Sequence, residues 1–139
     1  MINILAVEHD PKMASLIYYA LSDKSLYHLA IVESGYTAME AIGQKQFDVI
    51  IINRDLSYMN GYKTALKLRT VLGKEISPFV ITASDFTQRE IEEFIPLGVF
   101  DFWEMPVSVQ RIKLTVDMAK DWQNDGDNLK SYREFADRR

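Results

Sequence analysis

The sequence of 139 residues contains no cysteine, so disulfide bonds and metal sites built from thiolates are excluded. Basic residues are also few relative to acidic ones. The chain has 16 Lys and Arg against 20 Asp and Glu, which gives a formal net charge of −4. Domains that bind nucleic acid usually carry a basic excess, so direct contact with DNA or RNA is not expected.

Long apolar runs and targeting segments are absent as well. The longest apolar runs, such as residues 49–52, are far shorter than the roughly 20 residues that cross a bilayer. The chain starts Met-Ile-Asn-Ile, without a basic region and a long apolar stretch, so we expect no secretory signal and a cytoplasmic location. With 47% apolar and 26% charged residues, the composition is typical of one globular domain.

Strand-like and helix-like segments alternate along the chain. Apolar segments typical of buried strands occupy residues 2–7, 27–32, 47–52, 79–82 and 99–103. Helical patterns follow, with Asp10-Pro11 opening the first, then residues 36–44, 62–72 and 86–97, and Pro106 opening the fifth. Five such repeats predict an α/β fold, a doubly wound (βα)5 three-layer sandwich with a five-stranded parallel sheet.

The apolar strands also predict the core and the extent of the domain. The core residues that we expect are Ile4, Leu5, Val7, Val49, Ile50, Ile51, Ile52, Val80 and Ile81. Residues 1–123 are predicted to form the domain. Residues 124–139 begin with a polar breaker and are interpreted as a polar linker or C-terminal tail, in which residues 129–139 can form a short amphipathic helix.

Doubly wound folds bind ligands beyond the carboxyl ends of their strands. Several chemistry-bearing side chains occupy these places in the sequence, and they are the candidate site residues. They are Glu8, His9 and Asp10 after the first strand, Asn53 and Asp55 after the third, Thr82 at the end of the fourth, and Met105 after the fifth.

At these positions the chain resembles the receiver domain of bacterial response regulators, over roughly residues 2–122. In that family an acidic pair follows the first strand, a phosphoacceptor Asp ends the third, a Ser or Thr ends the fourth, and a Lys-Pro pair follows the fifth. The matching segments are VEHD at 7–10, FDVIIIN at 47–53, MNG at 59–61, VITA at 80–83 and GVFDFWEMP at 98–106. The resemblance implies a signalling module of a two-component phosphorelay system, with a cis bond between Met105 and Pro106.

Two positions lack the chemistry that the family uses. Asn53 takes the phosphoacceptor place, and an uncharged amide oxygen cannot form an acyl phosphate. Met105 takes the Lys place, and a thioether offers neither charge nor a strong donor. Thr82 is retained. We therefore interpret the chain as a degenerate pseudo-receiver, a binding module and not an enzyme, whose partner is a signalling protein or a second copy.

The metal place is weakened in the same way. Glu8 and Asp10 offer hard oxygens, but His9 is a softer ligand, and Asn53 brings a neutral carbonyl where a carboxylate would sit. No resident cofactor or metal is expected, and Mg²⁺ binds at most weakly at Glu8 and Asp10. His9 is interpreted as a hydrogen-bonded surface group in preference to a metal ligand or a phosphorylated histidine.

Alternatives remain open from the sequence alone. An orthodox response regulator can accept phosphate from a histidine kinase at a non-standard residue, for which Asp55 is one candidate. A flavin-binding fold is less favoured, because the acidic loop at residues 8–11 would repel a phosphate. Phe102 matches the family's switch aromatic, and it is interpreted as packed in the core or a groove in preference to a working switch. Together with Trp103 it predicts an apolar interaction patch near the fourth and fifth helices.

Overall fold

A five-stranded parallel sheet forms the centre of the structure, a computed structural model that describes residues 1–73 and 77–122. The strands are β1 (Ile2–Val7), β2 (Tyr27–Val32), β3 (Val49–Asn53), β4 (Phe79–Ala83) and β5 (Val99–Glu104). Their order in the sheet is β2-β1-β3-β4-β5, one of the two common orders of doubly wound folds.

Helices connect successive strands and cover the sheet. Helix α1 packs against α5, and α2 packs against α3. The helices are α1 (Pro11–Ala20), α2 (Gly35–Gln44), α3 (Gly61–Leu72), α4 (Gln88–Phe94) followed by a 3₁₀ turn (Ile95–Leu97), and α5 (Val109–Trp122).

The predicted core is confirmed. All nine residues expected there are at most 1% exposed, because β1, β3 and β4 lie inside the sheet with helices on both faces. Removing such apolar side chains from water stabilises the fold by roughly 1.5–3 kcal/mol each.

Side-chain caps decide where several helices begin. Asp10 accepts a hydrogen bond from the N–H of Lys12 and starts α1 at Pro11, as predicted. Thr87 and Glu90 form a capping box. Helix α4 therefore begins at Gln88, not at residue 86 as predicted, and Phe86 precedes it.

The prediction that Pro106 opens the fifth helix is wrong. The Met105–Pro106 bond is cis, as the resemblance implied. The chain continues as a loop until Ser108, whose hydroxyl accepts a hydrogen bond from the N–H of Arg111 and whose carbonyl accepts one from Ile112. The helix starts where this cap satisfies its first N–H groups, at Val109.

Two further predictions relate to the ends of the chain and to membranes. The boundary after residue 123 and the tail at 124–139 lie outside the described residues. Within residues 1–73 and 77–122, none of the helices has the length and apolar character that a transmembrane span requires.

Candidate functional site

An open cleft of about 500 Å³ lies at the carboxyl ends of the central strands. It brings together all seven residues that the sequence predicted for the pocket: Glu8, His9, Asp10, Asn53, Asp55, Thr82 and Met105. Parallel strands end at the same edge of the sheet, which is why residues so distant in sequence meet there. Phe102 and Trp103 do not line this cleft.

The centre of the cleft is a hydrogen bond between Glu8 and Asn53. Asn53 Nδ2 donates to Glu8 Oε2 at 2.7 Å, and the backbone N–H of Asp10 donates to the same oxygen at 3.0 Å. Glu8 is only 3% exposed, so these two hydrogen bonds compensate for much of the hydration that its carboxylate has lost. Asn53 therefore has a defined structural role at the position where the family carries a nucleophile.

The other end of the Asn53 amide fixes its orientation. The backbone N–H of Asp55 donates to Asn53 Oδ1 at 2.8 Å. A backbone N–H can only donate, so the amide atom facing it must be the oxygen, and the NH₂ group must face Glu8. Both ends of the side chain are thus engaged, and the amide is held in one orientation.

Gly61 allows this geometry by letting the start of α3 approach the end of β3. A Cβ at position 61 would lie 2.4 Å from the carbonyl oxygen of Asn53 and 2.5 Å from Arg54 Cα. The Gly61 N–H donates to the Arg54 carbonyl at 2.8 Å. The close packing of α3 against β3 therefore requires a glycine at position 61, the last residue of the MNG segment.

Thr82 and Met105 complete the floor and wall of the cleft. Thr82 is opposite Asn53 in the β3–β4 register and is 1% exposed. Met105 is partly buried, and its backbone N–H donates to the Ala83 carbonyl at 2.9 Å. The wall that Met105 contributes is apolar, so it supplies no positive charge for a phosphoryl group.

Several of the oxygens in the cleft that could bind Mg²⁺ are already engaged in hydrogen bonds. Glu8 Oε2 already accepts two hydrogen bonds, Asn53 presents its NH₂ group to Glu8, and Asp10 Oδ1 caps α1. Mg²⁺ requires hard oxygens free to turn toward it. In the described residues, His, Asp and Glu side chains do not gather in any group of three or more that could hold a metal ion.

Arg54 is a site residue that the sequence analysis missed. It follows Asn53 directly and binds Asp55 with two parallel hydrogen bonds, Nε to Oδ1 at 2.9 Å and Nη2 to Oδ2 at 3.0 Å. Its Nη1 donates to the Asp85 carbonyl at 2.7 Å and to Glu90 Oε2 at 3.0 Å. The guanidinium also lies over the Phe86 ring, 5.6 Å from its centroid. We call this set of contacts the Arg54 clamp.

The Arg54 clamp joins the loop after β3 to the loop after β4 and to the start of α4. Pairing with Asp55 raises the pKa of Arg54, while the backbone hydrogen bond from Thr87 and the charge of Arg54 lower the pKa of Glu90. Acidic residues at positions 55, 85 and 90 were visible in the sequence. Nothing in their spacing indicated that one arginine would contact all three.

Phe102 points into an aromatic cluster beside the clamp. Its ring contacts Phe86 edge to face at 5.2 Å between centroids and Phe94 at 6.2 Å, and Phe94 in turn contacts Tyr62 at 5.3 Å. Phe102 is 1% exposed. The side chain that matches the family's switch aromatic is therefore packed inward, against the residue over which Arg54 lies.

The predicted apolar patch at Phe102 and Trp103 is wrong, because neither side chain reaches the surface. Trp103 is 1% exposed, and its Nε1–H donates to Asp101 Oδ2 at 3.0 Å. Asp101 is fully buried and also pairs with Arg111 at 2.9 Å and with Thr115 at 3.1 Å. Trp103 thus helps to satisfy a buried carboxylate between β5 and α5.

Comparison with known proteins gives consistent matches. The profile of the response regulator receiver domain matches residues 4–117. The signal transduction histidine-protein kinase BarA of Escherichia coli K12 is 22% identical over 110 residues, which are 79% of this chain and 12% of BarA. The transcriptional regulatory protein ZraR of Klebsiella oxytoca is 23% identical over 118 residues, 85% of this chain and 26% of ZraR.

Solved structures with the same fold are also similar. A two-component response regulator from Clostridium difficile superposes with a TM-score of 0.80 at 18% identity, covering 90% of this chain and all of that one. This likeness establishes the flavodoxin-like α/β fold. The chain spans about an eighth of BarA and about a quarter of ZraR.

Proposed function

This chain belongs to the response regulator receiver family. We propose that it is a receiver domain that cannot be phosphorylated and that acts by binding another protein. The observation that carries the proposal is the Asn53 amide. It occupies the end of β3, and both its ends are hydrogen-bonded, to Glu8 and to the Asp55 N–H. An amide oxygen that is neutral and already engaged is a poor nucleophile toward phosphorus.

The surroundings of Asn53 support the same conclusion. Transfer of a phosphoryl group needs positive charge on its oxygens, usually from a metal ion and a cationic side chain. Met105 forms an apolar wall, and the Glu8 oxygen that faces Asn53 already accepts two hydrogen bonds, which disfavours a metal ion there. The nucleophile and the charge that would assist it are thus both missing, which favours a binding module over an enzyme.

The alternative, a receiver that accepts phosphate at another carboxylate, has two candidates in the cleft. Asp55 has each oxygen hydrogen-bonded by Arg54, and Asp10 uses Oδ1 to cap α1. An attacking carboxylate would have to give up these contacts. The structure therefore favours neither residue as a phosphoacceptor.

The Arg54 clamp further supports a module with one conformation. In the receiver family the switch aromatic turns inward on activation, so contacts that fix it inward would favour one state. Here Arg54 binds Asp85 and Glu90 and covers Phe86, and Phe86 contacts the inward-facing Phe102. We propose that these contacts hold the inward arrangement without phosphorylation.

The partner surface that we propose lies on α1 and α5, which pack against each other. Large apolar side chains are exposed on both helices: Tyr18 at 61%, Tyr19 at 70%, Leu114 at 55% and Met118 at 37%. Leu114 and Met118 are four residues apart on α5 and so are neighbours on its surface, and exposed apolar side chains that lie together mark contact sites. The occupant would be a signalling protein or a second copy of the chain.

Incubation with acetyl phosphate and Mg²⁺, followed by intact mass measurement, tests the central proposal. The wild-type mass is expected to stay unchanged. The matched control carries Asn53→Asp and Met105→Lys, which restore a nucleophile and a cation, and this variant is expected to gain one phosphoryl group. A stoichiometric acyl phosphate on the wild-type protein, mapped to Asp55 or Asp10, would establish the alternative function.

Sedimentation and partner pull-down test the proposed surface. Leu114→Glu together with Met118→Glu is expected to weaken self-association or partner binding while the circular dichroism spectrum stays unchanged. Lys113→Glu, an exposed change on the same helix, is the control for added negative charge. Equal binding by all three proteins would exclude this part of α5.

A further inference from the structure

The contact between Asn53 and Glu8 is an ordinary hydrogen bond, whose length also matches the spacing of two oxygens that share a metal ion. In octahedral Mg²⁺ sites with metal–oxygen distances of about 2.0–2.1 Å, neighbouring ligand oxygens lie about 2.9 Å apart. Asn53 Nδ2 lies 2.7 Å from Glu8 Oε2. A carboxylate oxygen in place of Nδ2 would therefore form, with Glu8, a pair able to share one divalent cation.

Glu8 requires a source of positive potential in this position. It is 3% exposed, and the two hydrogen bonds to Oε2 come from the neutral Asn53 amide and the Asp10 N–H. Among the described residues, no Lys, Arg or His forms a salt bridge with Glu8. The positive end of the Asn53 N–H dipole thus faces the Glu8 oxygen that a bound cation would otherwise stabilise.

We propose that the Asn53 amide is a built-in substitute for a divalent cation. It holds the buried Glu8 carboxylate without a metal, and a cation that binds Glu8 Oε2 has to compete with the hydrogen bond from Asn53. Asn53→Asp removes the N–H group and places two carboxylate oxygens at the spacing of a metal edge. One substitution is therefore expected to convert a metal-independent cleft into a Mg²⁺ site that adds to the stability of the fold.

This inference deepens the proposed function and rests on it, because it explains how the cleft remains stable after losing its phosphorylation chemistry. The two are nevertheless separable. The acetyl phosphate experiment asks whether the wild-type chain forms a covalent adduct. The experiment below asks whether a cation binds, and it uses protein stability as its readout.

Urea denaturation with and without Mg²⁺ at constant ionic strength tests the proposal. The proteins are the wild type, Asn53→Asp, and Asn53→Asp combined with Glu8→Gln. Without Mg²⁺, Asn53→Asp is expected to be less stable than the wild type, because two carboxylates then face each other. At a Mg²⁺ concentration about ten times the dissociation constant, its ratio of folded to unfolded protein should rise about tenfold.

The wild type and the double variant are expected to show no such rise. The wild type lacks the second carboxylate, and the double variant keeps the introduced carboxylate at position 53 but loses the one at position 8. Equal stabilisation of the wild type and Asn53→Asp by Mg²⁺ would overturn the proposal. So would a folded Asn53→Asp protein that does not respond to Mg²⁺.

A second measurement applies even if Asn53→Asp does not fold. Mn²⁺ is added to the wild-type protein, and broadening of amide NMR signals is followed at residues 8–10. Little broadening is expected there, no more than in Glu8→Gln. Asp85→Asn, a change at an exposed carboxylate, controls for nonspecific binding. Strong broadening in the wild type that Glu8→Gln abolishes would show that a cation binds at Glu8 although Asn53 is present. That result would overturn the proposal.

Discussion

Two arginines hold loops in place, one at the carboxyl edge of the sheet, where the strands end, and one at the opposite edge, where they begin. The two arginines are held in different ways. Arg54, at the carboxyl edge, binds the Asp55 and Glu90 carboxylates and the Asp85 carbonyl, and the Asp55 and Glu90 side chains are 59% and 31% exposed. Arg69, at the opposite edge, is partly buried and donates to the carbonyls of Leu97, Gly73 and Ser77 at 2.7–2.8 Å.

The environment of Arg69 is that of a structural residue. Its guanidinium lies 4.0 Å from the centroid of the Phe79 ring, and burial lowers its pKa to about 10, which still leaves it charged at neutral pH. Gly98, with φ of +83°, gives it room, since a Cβ there would lie 2.9 Å from Arg69 Nη2. The guanidinium is thus enclosed by backbone and ring.

The comparison indicates a division of roles between the edges. Carbonyls bound to an enclosed guanidinium have few alternative partners, so Arg69 stabilises the fold. Carboxylates near solvent lose little when released, so Arg54 contributes less stability and instead sets the position of two loops. The edge that contains the candidate site is thus the one whose side-chain contacts can be changed with the fold intact.

The largest expected effect is at the edge that contains Arg69. Arg69→Ala should lower the free energy of unfolding by roughly 3 kcal/mol, because it leaves several carbonyls without their donor and opens a cavity beside Phe79. Arg69→Lys, which keeps the charge but not the planar fork, should recover only part of this loss. Urea denaturation measures both. A loss no greater than that of Arg54→Ala would break the comparison.

The second-largest expected effect is at Gly61, and it tests whether the backbone at the carboxyl edge is rigid. Gly61→Ala should destabilise the protein by roughly 2 kcal/mol, since its Cβ would overlap the Asn53 carbonyl and Arg54 Cα. The control is Gly43→Ala on α2, where a Cβ meets nothing within 4 Å. That change should stabilise the protein by up to about 1 kcal/mol. Equal effects at the two glycines would mean that the start of α3 can shift away.

A smaller effect on stability, with a larger one on motion, is expected at Arg54. Arg54→Gln should cost about 1 kcal/mol, but it should increase amide hydrogen exchange in residues 84–87, where the Arg54 clamp is released. Arg89→Gln removes an exposed pair with Glu93 and serves as the control. If exchange at residues 84–87 is the same in both variants, Arg54 does not hold this loop.

The smallest expected effect is on the stability of the protein at acidic pH. The folded state lowers the pKa of Glu90, so its contribution to stability is fully present above the unfolded value of about 4.3 and is lost as pH falls through the folded value. The stability difference between the wild type and Glu90→Gln should therefore shrink below about pH 4. Denaturation curves from pH 3 to 7 measure this. A difference that is independent of pH would assign the contribution of Glu90 to packing.

Much of the fold and of the site could be predicted from the sequence. The alternation of apolar strands and amphipathic helices indicated the sheet, because each buried face needs a matching period of apolar residues. The chemistry-bearing residues after the strands indicated the cleft, because parallel strands end at one edge. The start of α5 was mispredicted, since a proline suits a first helical turn but Ser108 provides the cap.

Other features could not be predicted because they depend on distant contacts. Trp103 looked like an interface residue, but it packs in the apolar core, where Asp101 and Thr115 satisfy its N–H group. Arg54 and Arg69 look alike in the sequence. The contacts that each of them makes are decided by the loops that the fold brings to it.

The sequence by itself determined which chemical groups the cleft contains. With an amide at position 53 and a thioether at position 105, no folding could supply a nucleophile or a cation from those two residues. The tertiary structure decided what the amide does instead. Glu8 and Asn53 are 45 residues apart and meet only because β1 and β3 are neighbours in the sheet, so the hydrogen bond that holds Glu8 exists only in the folded chain.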